Sequence, residues 1–194
     1  MFPMSDLRSL LQRWLADAES ADPHWFNAAA LATADADGTP SVRIVLVKTA
    51  DADGFEFFTN LHSRKARDLR ARPRAALCLH WPALQRQLRL EGAVSLAGDD
   101  RSDAYFATRD RASQIGAWAS GQSQEMSDPA DLADRVAAVT QMVEGTDVRR
   151  PPYWGGYVLT PDLIEFWTSG EARLHDRQEY RRVGSAWTRR TLYP

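Results

Sequence analysis

The chain has 194 residues, 44% hydrophobic and 26% charged, an ordinary globular composition and about one domain's worth of length. Lys plus Arg at 24 against Asp plus Glu at 26 leaves a net charge of −2, which supplies no long-range field for nucleic acid or an anionic membrane, so any anion binding must be local. The single cysteine, Cys78, excludes an intrachain disulfide, and its place in the run Ala75-Ala76-Leu77-Cys78-Leu79 predicts a buried, inert thiol in a reducing, cytoplasmic setting. The N-terminus lacks a basic region followed by an apolar core, and no apolar run approaches the roughly 20 residues of a membrane span, so a soluble protein is expected.

Leu7, Leu10, Leu11, Trp14 and Leu15 mark one apolar helix face, which predicts a helix over 6–18 capped by Ser5 and Asp6. Residues 20–23 break that pattern, and 28–33 open a sheet of short strands. Two copies of one tetrapeptide, Asp35-Ala36-Asp37-Gly38 and Asp51-Ala52-Asp53-Gly54, read as hairpin turns in which Gly takes the left-handed position and Asp bonds its own turn backbone. Calcium ligation is the alternative, but the flanks are strands and no bidentate glutamate follows at the needed spacing.

The stretch 41–69 reads as strand, turn, strand and helix start, and it carries cations where a buried sheet normally has none. Arg43 and Lys48 bracket Ile44-Val45-Leu46-Val47, and Arg64-Lys65 follow Ser63 at the helix start. A strand ending beside a helix N-terminus brings unpaired backbone N–H groups, a hydroxyl and fixed positive charge together, a place for a phosphate monoester. The bland alternative is a solvated helix face.

Pro73 ends that helix, and 75–81 gives another strand. A strand over 86–95 sets Leu88, Leu90, Gly92 and Val94 on one face and Gln87, Arg89 and Glu91 on the other. Residues 99–109 are helical. Were that helix to continue unbroken, Tyr105, Arg109 and Ser113 would stack on one face and could surround a phosphate, although spacing alone favours an ordinary amphipathic helix.

Residues 114–123 read as a compact loop with short helical content, and Asp128-Pro129 starts a helix carrying Leu132, Val136, Val139 and Val143 inward. After a connection over 144–152, strand 154–159 is expected to pair with 163–167 across the turn Thr160-Pro161-Asp162, and strands over 173–180 and 186–192 complete the sheet. Arg173, His175 and Arg177 would share one strand face, and three potential cations there call for anions or electron-rich rings against them. The four histidines, at 24, 62, 80 and 175, show no zinc spacing.

The segments Arg43-Ile44-Val45-Leu46-Val47-Lys48, Phe57-Phe58-Thr59-Asn60-Leu61-His62-Ser63-Arg64-Lys65, Arg86-Gln87-Leu88-Arg89, Ser113-Gln114-Ile115-Gly116-Ala117-Trp118-Ala119-Ser120, Gln122-Ser123, Trp154-Gly155-Gly156, Ile164-Glu165-Phe166-Trp167 and Arg173-Leu174-His175-Asp176-Arg177 occur in this order. Together they resemble the pyridoxine/pyridoxamine 5′-phosphate oxidase family from about residue 28 to the end of the sequence.

The resemblance implies a single α+β domain, an antiparallel, FMN-binding split β-barrel of about six to eight strands with peripheral helices, with residues 1–25 as an N-terminal helix and linker. It implies a homodimer holding flavin mononucleotide (FMN) in two clefts between subunits. Arg43, Lys65, Gln122 and Ser123 would hold the flavin, with Ile44, Val45, Lys48, Phe58, Thr59, Ser63 and Arg64 alongside, Gln87 reaching it and Trp167 and Arg177 touching it. Phe58 stands where tyrosine is common in the family. Lys48, Tyr105, Arg109 and Ser113 would anchor a substrate phosphate, while Arg173 and His175 would touch the pyridine ring as the catalytic pair.

The implied reaction oxidises pyridoxamine or pyridoxine 5′-phosphate to pyridoxal 5′-phosphate, with dioxygen as acceptor and hydrogen peroxide as product. Two rival readings are a flavin-dependent oxidase of another heterocycle, of the phenazine-pathway type, and a non-catalytic flavin or pyridoxal phosphate binding protein.

Overall fold

The computed structural model describes residues 3–51 and 54–194, so the turn expected at Asp51-Ala52-Asp53-Gly54 lies partly outside the described residues. Eight antiparallel strands are bonded in the order β3-β2-β1-β4-β5-β6-β7-β8, and a further pairing of β3 with β6 closes the first six into a barrel. They are β1 (Ala28–Ala34), β2 (Pro40–Asp51), β3 (Gly54–Asn60), β4 (Arg74–Trp81), β5 (Arg86–Leu96), β6 (Trp154–Thr168), β7 (Asp176–Val183) and β8 (Ala186–Thr191). Among the described residues five α-helices accompany them: α1 (Met4–Ala21), α2 (Arg64–Ala71), α3 (Asp99–Ala107), α4 (Arg111–Ala119) and α5 (Ala130–Met142). This is the α+β split barrel expected from the sequence.

Alternation fills the barrel. Leu31, Val45, Val47, Phe55, Phe57, Leu77, Leu79, Leu88, Leu90, Leu159 and Ile164 are buried in one cluster, each contributing about 1.5–3 kcal/mol by leaving water. Helix α1 adds Leu7 and Leu11 to the same cluster, with Leu10, Trp14 and Leu15 packed on its margin. That helix is longer than the expected 6–18, and Ser5 and Asp6 lie inside its first turn; Pro3 holds the cap position, with no side-chain cap bond.

The β1–β2 turn forms as expected, with Gly38 at φ +91° and the Asp35 carboxylate accepting from the backbone of Asp37 and Thr39. Cys78 is half-buried rather than buried, because it alternates with the inward Leu77 and Leu79; burial pushes its thiol pKa up, away from reactivity.

The expected hairpin at Thr160-Pro161-Asp162 does not exist. Strand β6 runs through it, pairing its first half with β3 and its second half with β7, while β5 follows both. Pro161 sits opposite Gly92, where the β5–β6 register shifts, so a residue lacking an N–H bends the strand instead of ending it. Gly92 is required there, since a Cβ would run into the Thr160 carbonyl.

The helical content expected within 114–123 is the end of α4, which runs to Ala119 before the loop, and the chain breaks at Thr108–Asp110 because Asp110 caps α4 by accepting from the Ser113 N–H at 2.8 Å. Helix α5 buries none of its residues. Leu132 and Val136 are exposed, and only Val139 and the following Val143 reach the second apolar cluster, with Phe106, Ile115, Val148 and Trp154.

Candidate functional site

A cleft of about 650 Å³ opens between the end of the barrel and helices α3 and α4. Its lining includes Lys48, Phe58, Thr59, Tyr105, Arg109, Ser113 and Gln122, seven residues singled out from sequence. The break between α3 and α4 does not scatter Tyr105, Arg109 and Ser113. The first ends one helix, the second sits in the turn and the third lies in the next helix's first turn, so all three face the same space.

One wall is aromatic: Phe58 stacks on Tyr105 at 4.2 Å and on Trp154 at 5.4 Å between ring centroids. Lys48 Nζ lies 5.6 Å from the Tyr105 ring centroid. Arg109 lies 5.0 Å from the Trp154 ring, its Nη1 is buried without a hydrogen-bond partner, and burial lowers its pKa. A guanidinium spending donors on nothing, beside a lysine, a phenol and a hydroxyl, suits a phosphate.

The second cationic point lies behind two residues of the cleft wall, Thr59 and Gln122. Ser63 caps α2, its hydroxyl accepting from the Ala66 N–H at 3.4 Å, and so starts the helix at Arg64-Lys65. Lys65, only 8% exposed, donates to Thr59 Oγ1 at 3.0 Å and Gln122 Oε1 at 2.8 Å and has no carboxylate partner among the described residues. Its pKa falls to about 8, first through burial and then through the Arg43 charge.

Arg43 is more committed than the sequence suggested. It donates to the Leu31 carbonyl, Thr33 and Ser41 and lies 3.7 Å from Asp68, whose carboxylate also accepts from Thr33; this network docks α2 on the barrel. Arg43, paired with Asp68, is also the cation whose charge acts on Lys65 and is acted on by Arg64, so three cations gather around a single ion pair. The donor set fits a flavin phosphate.

The remaining candidates stand elsewhere. Ile44 is exposed on the outer sheet face, Val45 points into the core, and Ser123, with φ +66°, lines an adjoining pocket that Gln122 shares. Gln87, Trp167 and Arg177 stand abreast on β5, β6 and β7, one row across three strands. Arg173, His175 and Arg177 do not share a strand face. A 3-10 turn over Glu171–Arg173 precedes β7, with Ala172 and Arg173 left-handed at φ 51° and 66°, and His175 instead tilts against Trp167 at 4.6 Å between rings. The Gly170 N–H donates to His175 Nδ1 at 3.2 Å, which leaves the ring proton on Nε2. None of this second group lines the 650 Å³ cleft.

Sequence reasoning passed over Asn60, Asp110 and Trp154 among the lining residues. Trp154 opens the quoted Trp154-Gly155-Gly156 segment, and Asp110 stands three residues before Ser113 in a capping arrangement, so both carried a signal.

A closed six-stranded antiparallel barrel with a cation-lined cleft against its helices defines a split-barrel protein. The sequence model described as pyridoxamine 5′-phosphate oxidase matches residues 21–143, and that of the pyridoxine 5′-phosphate oxidase C-terminal dimerisation region matches 154–194. The chain belongs to the pyridoxine/pyridoxamine 5′-phosphate oxidase family.

It is 57% identical over 180 residues to the pyridoxine/pyridoxamine 5′-phosphate oxidase of Anaeromyxobacter dehalogenans, covering 93% of this chain and 91% of that one. It is 47% identical to that of Myxococcus xanthus, covering 99% and 91%. Among solved structures, PhzG from Burkholderia lata 383, in complex with tetrahydrophenazine-1-carboxylic acid, superposes with a TM-score of 0.90 at 33% identity over 100% of this chain and 98% of that one. An FMN-binding protein from Nostoc punctiforme, at 18% identity and a TM-score of 0.74 over 93% and 95%, shares the fold.

Proposed function

We propose that the protein is an FMN-dependent oxidase that converts pyridoxamine or pyridoxine 5′-phosphate to pyridoxal 5′-phosphate, passing electrons to dioxygen to give hydrogen peroxide. The carrying observation is the cleft-lining set Lys48, Tyr105, Arg109 and Ser113, with the Arg109 Nη1 orphaned in a space shared with the Lys65 anion point. Two separate cationic positions suit two phosphates, one on the flavin and one on the substrate.

Bound there, FMN would accept a hydride from the substrate carbon and return the electrons to dioxygen. Lys65, Ser63, Arg64 and Arg43 hold its phosphate charge, with Thr59, Gln122 and Ser123 alongside. Lys48, Tyr105, Arg109 and Ser113 anchor the substrate phosphate, remote binding energy that orients the reacting carbon. Arg173 and the Nε2–H of His175 contact the pyridine, while Gln87, Trp167 and Arg177 meet the flavin ring.

Those last five residues lie apart from the cleft, so the working unit is a homodimer in which one subunit's row completes the other's cleft. The exposed apolar stripe Val42, Ile44 and Leu46 on the outer face of β2 supports such a contact, as does the match of 154–194 to a dimerisation region.

The likeness to PhzG favours a second reading, an oxidase of a phenazine-type heterocycle. A phosphate-free ring would have no use for the four anchoring groups. Flavin absorbance of the purified protein, followed by peroxide release with pyridoxamine 5′-phosphate, pyridoxine 5′-phosphate and a reduced phenazine carboxylate, separates the readings. Flavin with peroxide from neither phosphate ester would sink the first.

A further inference from the structure

We propose that Glu165 is a positioning residue, holding the guanidinium of Arg177 in one orientation at the end of the Gln87–Trp167–Arg177 row. The inference rests on the flavin reading above and adds a residue that the reading does not use.

Glu165 is 2% exposed, yet it lies on the polar face of β6, two residues from Trp167 and directly abreast of Arg89 on β5 and Glu179 on β7. Its Oε1 accepts from Arg177 Nε at 2.8 Å and its Oε2 from Arg89 Nη1 at 2.9 Å. Arg177 Nη1 donates in turn to the Tyr193 carbonyl at 3.1 Å. A planar guanidinium bonded through Nε on one side and Nη1 on the other has its plane and direction set. The bond from Glu165 also raises the Arg177 pKa, so the charge is permanent.

Burying a carboxylate between two guanidiniums is no better for stability than apolar packing of the same volume. A gain in geometry is the physical use left for it. The neighbouring Glu179 supplies an internal control. It is similarly buried and sits in register with Glu165, but its hydrogen bonds come from Arg181, four residues beyond Arg177 on β7, and from Arg190 on β8, so it lends Arg177 charge but no bond that sets its direction.

The test is a double-mutant cycle read as FMN dissociation constants, by quenching of flavin fluorescence on titration into the flavin-stripped dimer. Arg177→Met and Glu165→Gln should each weaken FMN roughly tenfold, the effect of removing or misaiming one charge-assisted hydrogen bond, and the double variant should be no weaker than Arg177→Met alone. Glu179→Gln should bind as the parent does.

Parental affinity in Glu165→Gln overturns the proposal. So does a double variant whose loss is the product of the two single losses, because that is what a merely structural carboxylate would give. Should Glu165→Gln not fold, Glu165→Asp keeps the charge but is too short to reach both arginines, and parental affinity there overturns the proposal equally. A parent that binds no FMN overturns the flavin reading itself and this inference with it.

Discussion

The guanidinium of Arg109 rests over the indole of Trp154 at 5.0 Å from the ring centroid, while its Nη1 lies buried with no acceptor. A cation seated on a ring face keeps the edge donors of its guanidinium unspent on that ring, and Arg109 is among the residues that line the cleft. Truncation to Ala removes an interaction that ground and transition states share. The Michaelis constant for pyridoxamine 5′-phosphate should therefore rise roughly tenfold to a hundredfold, with a smaller fall in kcat. Steady-state peroxide release at matched flavin content measures both, and an unchanged Michaelis constant refutes the anchoring role.

Lys65 is held by Thr59 and Gln122 with its pKa down at about 8 against an ordinary 10.5. Between about 8 and 10.5 the unfolded chain binds the extra proton, so this group makes the flavin-free fold more stable as pH rises through that window, and contributes no slope below it. Phosphate binding needs the ammonium, so FMN affinity should weaken with pH above about 8. Lys65→Glu sets a like charge against the phosphate and should weaken FMN by about 3 kcal/mol, roughly 150-fold. Fluorescence titration across pH 7 to 10 checks both, and parental affinity in the variant would remove the phosphate from this point.

The sequence carried the strand alternation, the cap at Ser63 and the Arg64-Lys65 pair because each depends on neighbours within a few residues, whereas Lys48 was joined to Tyr105, Arg109 and Ser113 only through the family resemblance. It misread Pro161, since a proline in a strand looks like a turn unless the glycine opposite it, Gly92, is known to form a bulge. It set Tyr105, Arg109 and Ser113 on one face only were the helix to continue unbroken; Asp110 caps a new helix instead, and tertiary packing still brings the three together. Leu132 and Val136 have helical spacing but stay partly exposed, and neither joins an apolar cluster among the described residues. The separation of the Trp167 row from the cleft could not be read locally, because only strand order reveals it.

Val42, Ile44 and Leu46 alternate outward on β2, exposed beside the cleft residue Lys48. Light scattering of the parent should give close to twice 21.8 kDa. Ile44→Glu would bury an unpaired charge in the contact and should shift the protein toward monomer, with loss of FMN in parallel. A parent that is monomeric while retaining flavin and activity contradicts the dimer, and an Ile44→Glu dimer of parental affinity removes this stripe from the contact.

Gly170 determines where Arg173 and His175 can stand. Its N–H holds His175 Nδ1 at 3.2 Å, and an added Cβ would collide with the Leu174 carbonyl, which is backbone and cannot step aside. The chain between them passes through two left-handed non-glycine residues, Ala172 and Arg173, a conformation kept only while its surroundings enforce it. Gly170→Ala should therefore displace the turn, release the His175 ring from the Gly170 N–H and shift Arg173 from the position proposed for substrate contact. Because the turn is exposed and outside both apolar clusters, the expected signature is a loss of kcat of about tenfold or more with little change in Tm or in the Michaelis constant. Arg173→Ala, which leaves the turn's backbone intact, should reproduce the turnover loss at parental flavin occupancy. Parental turnover in Arg173→Ala would refute its catalytic role, and a Gly170→Ala variant that keeps parental turnover would show that the turn's geometry does not govern the reaction.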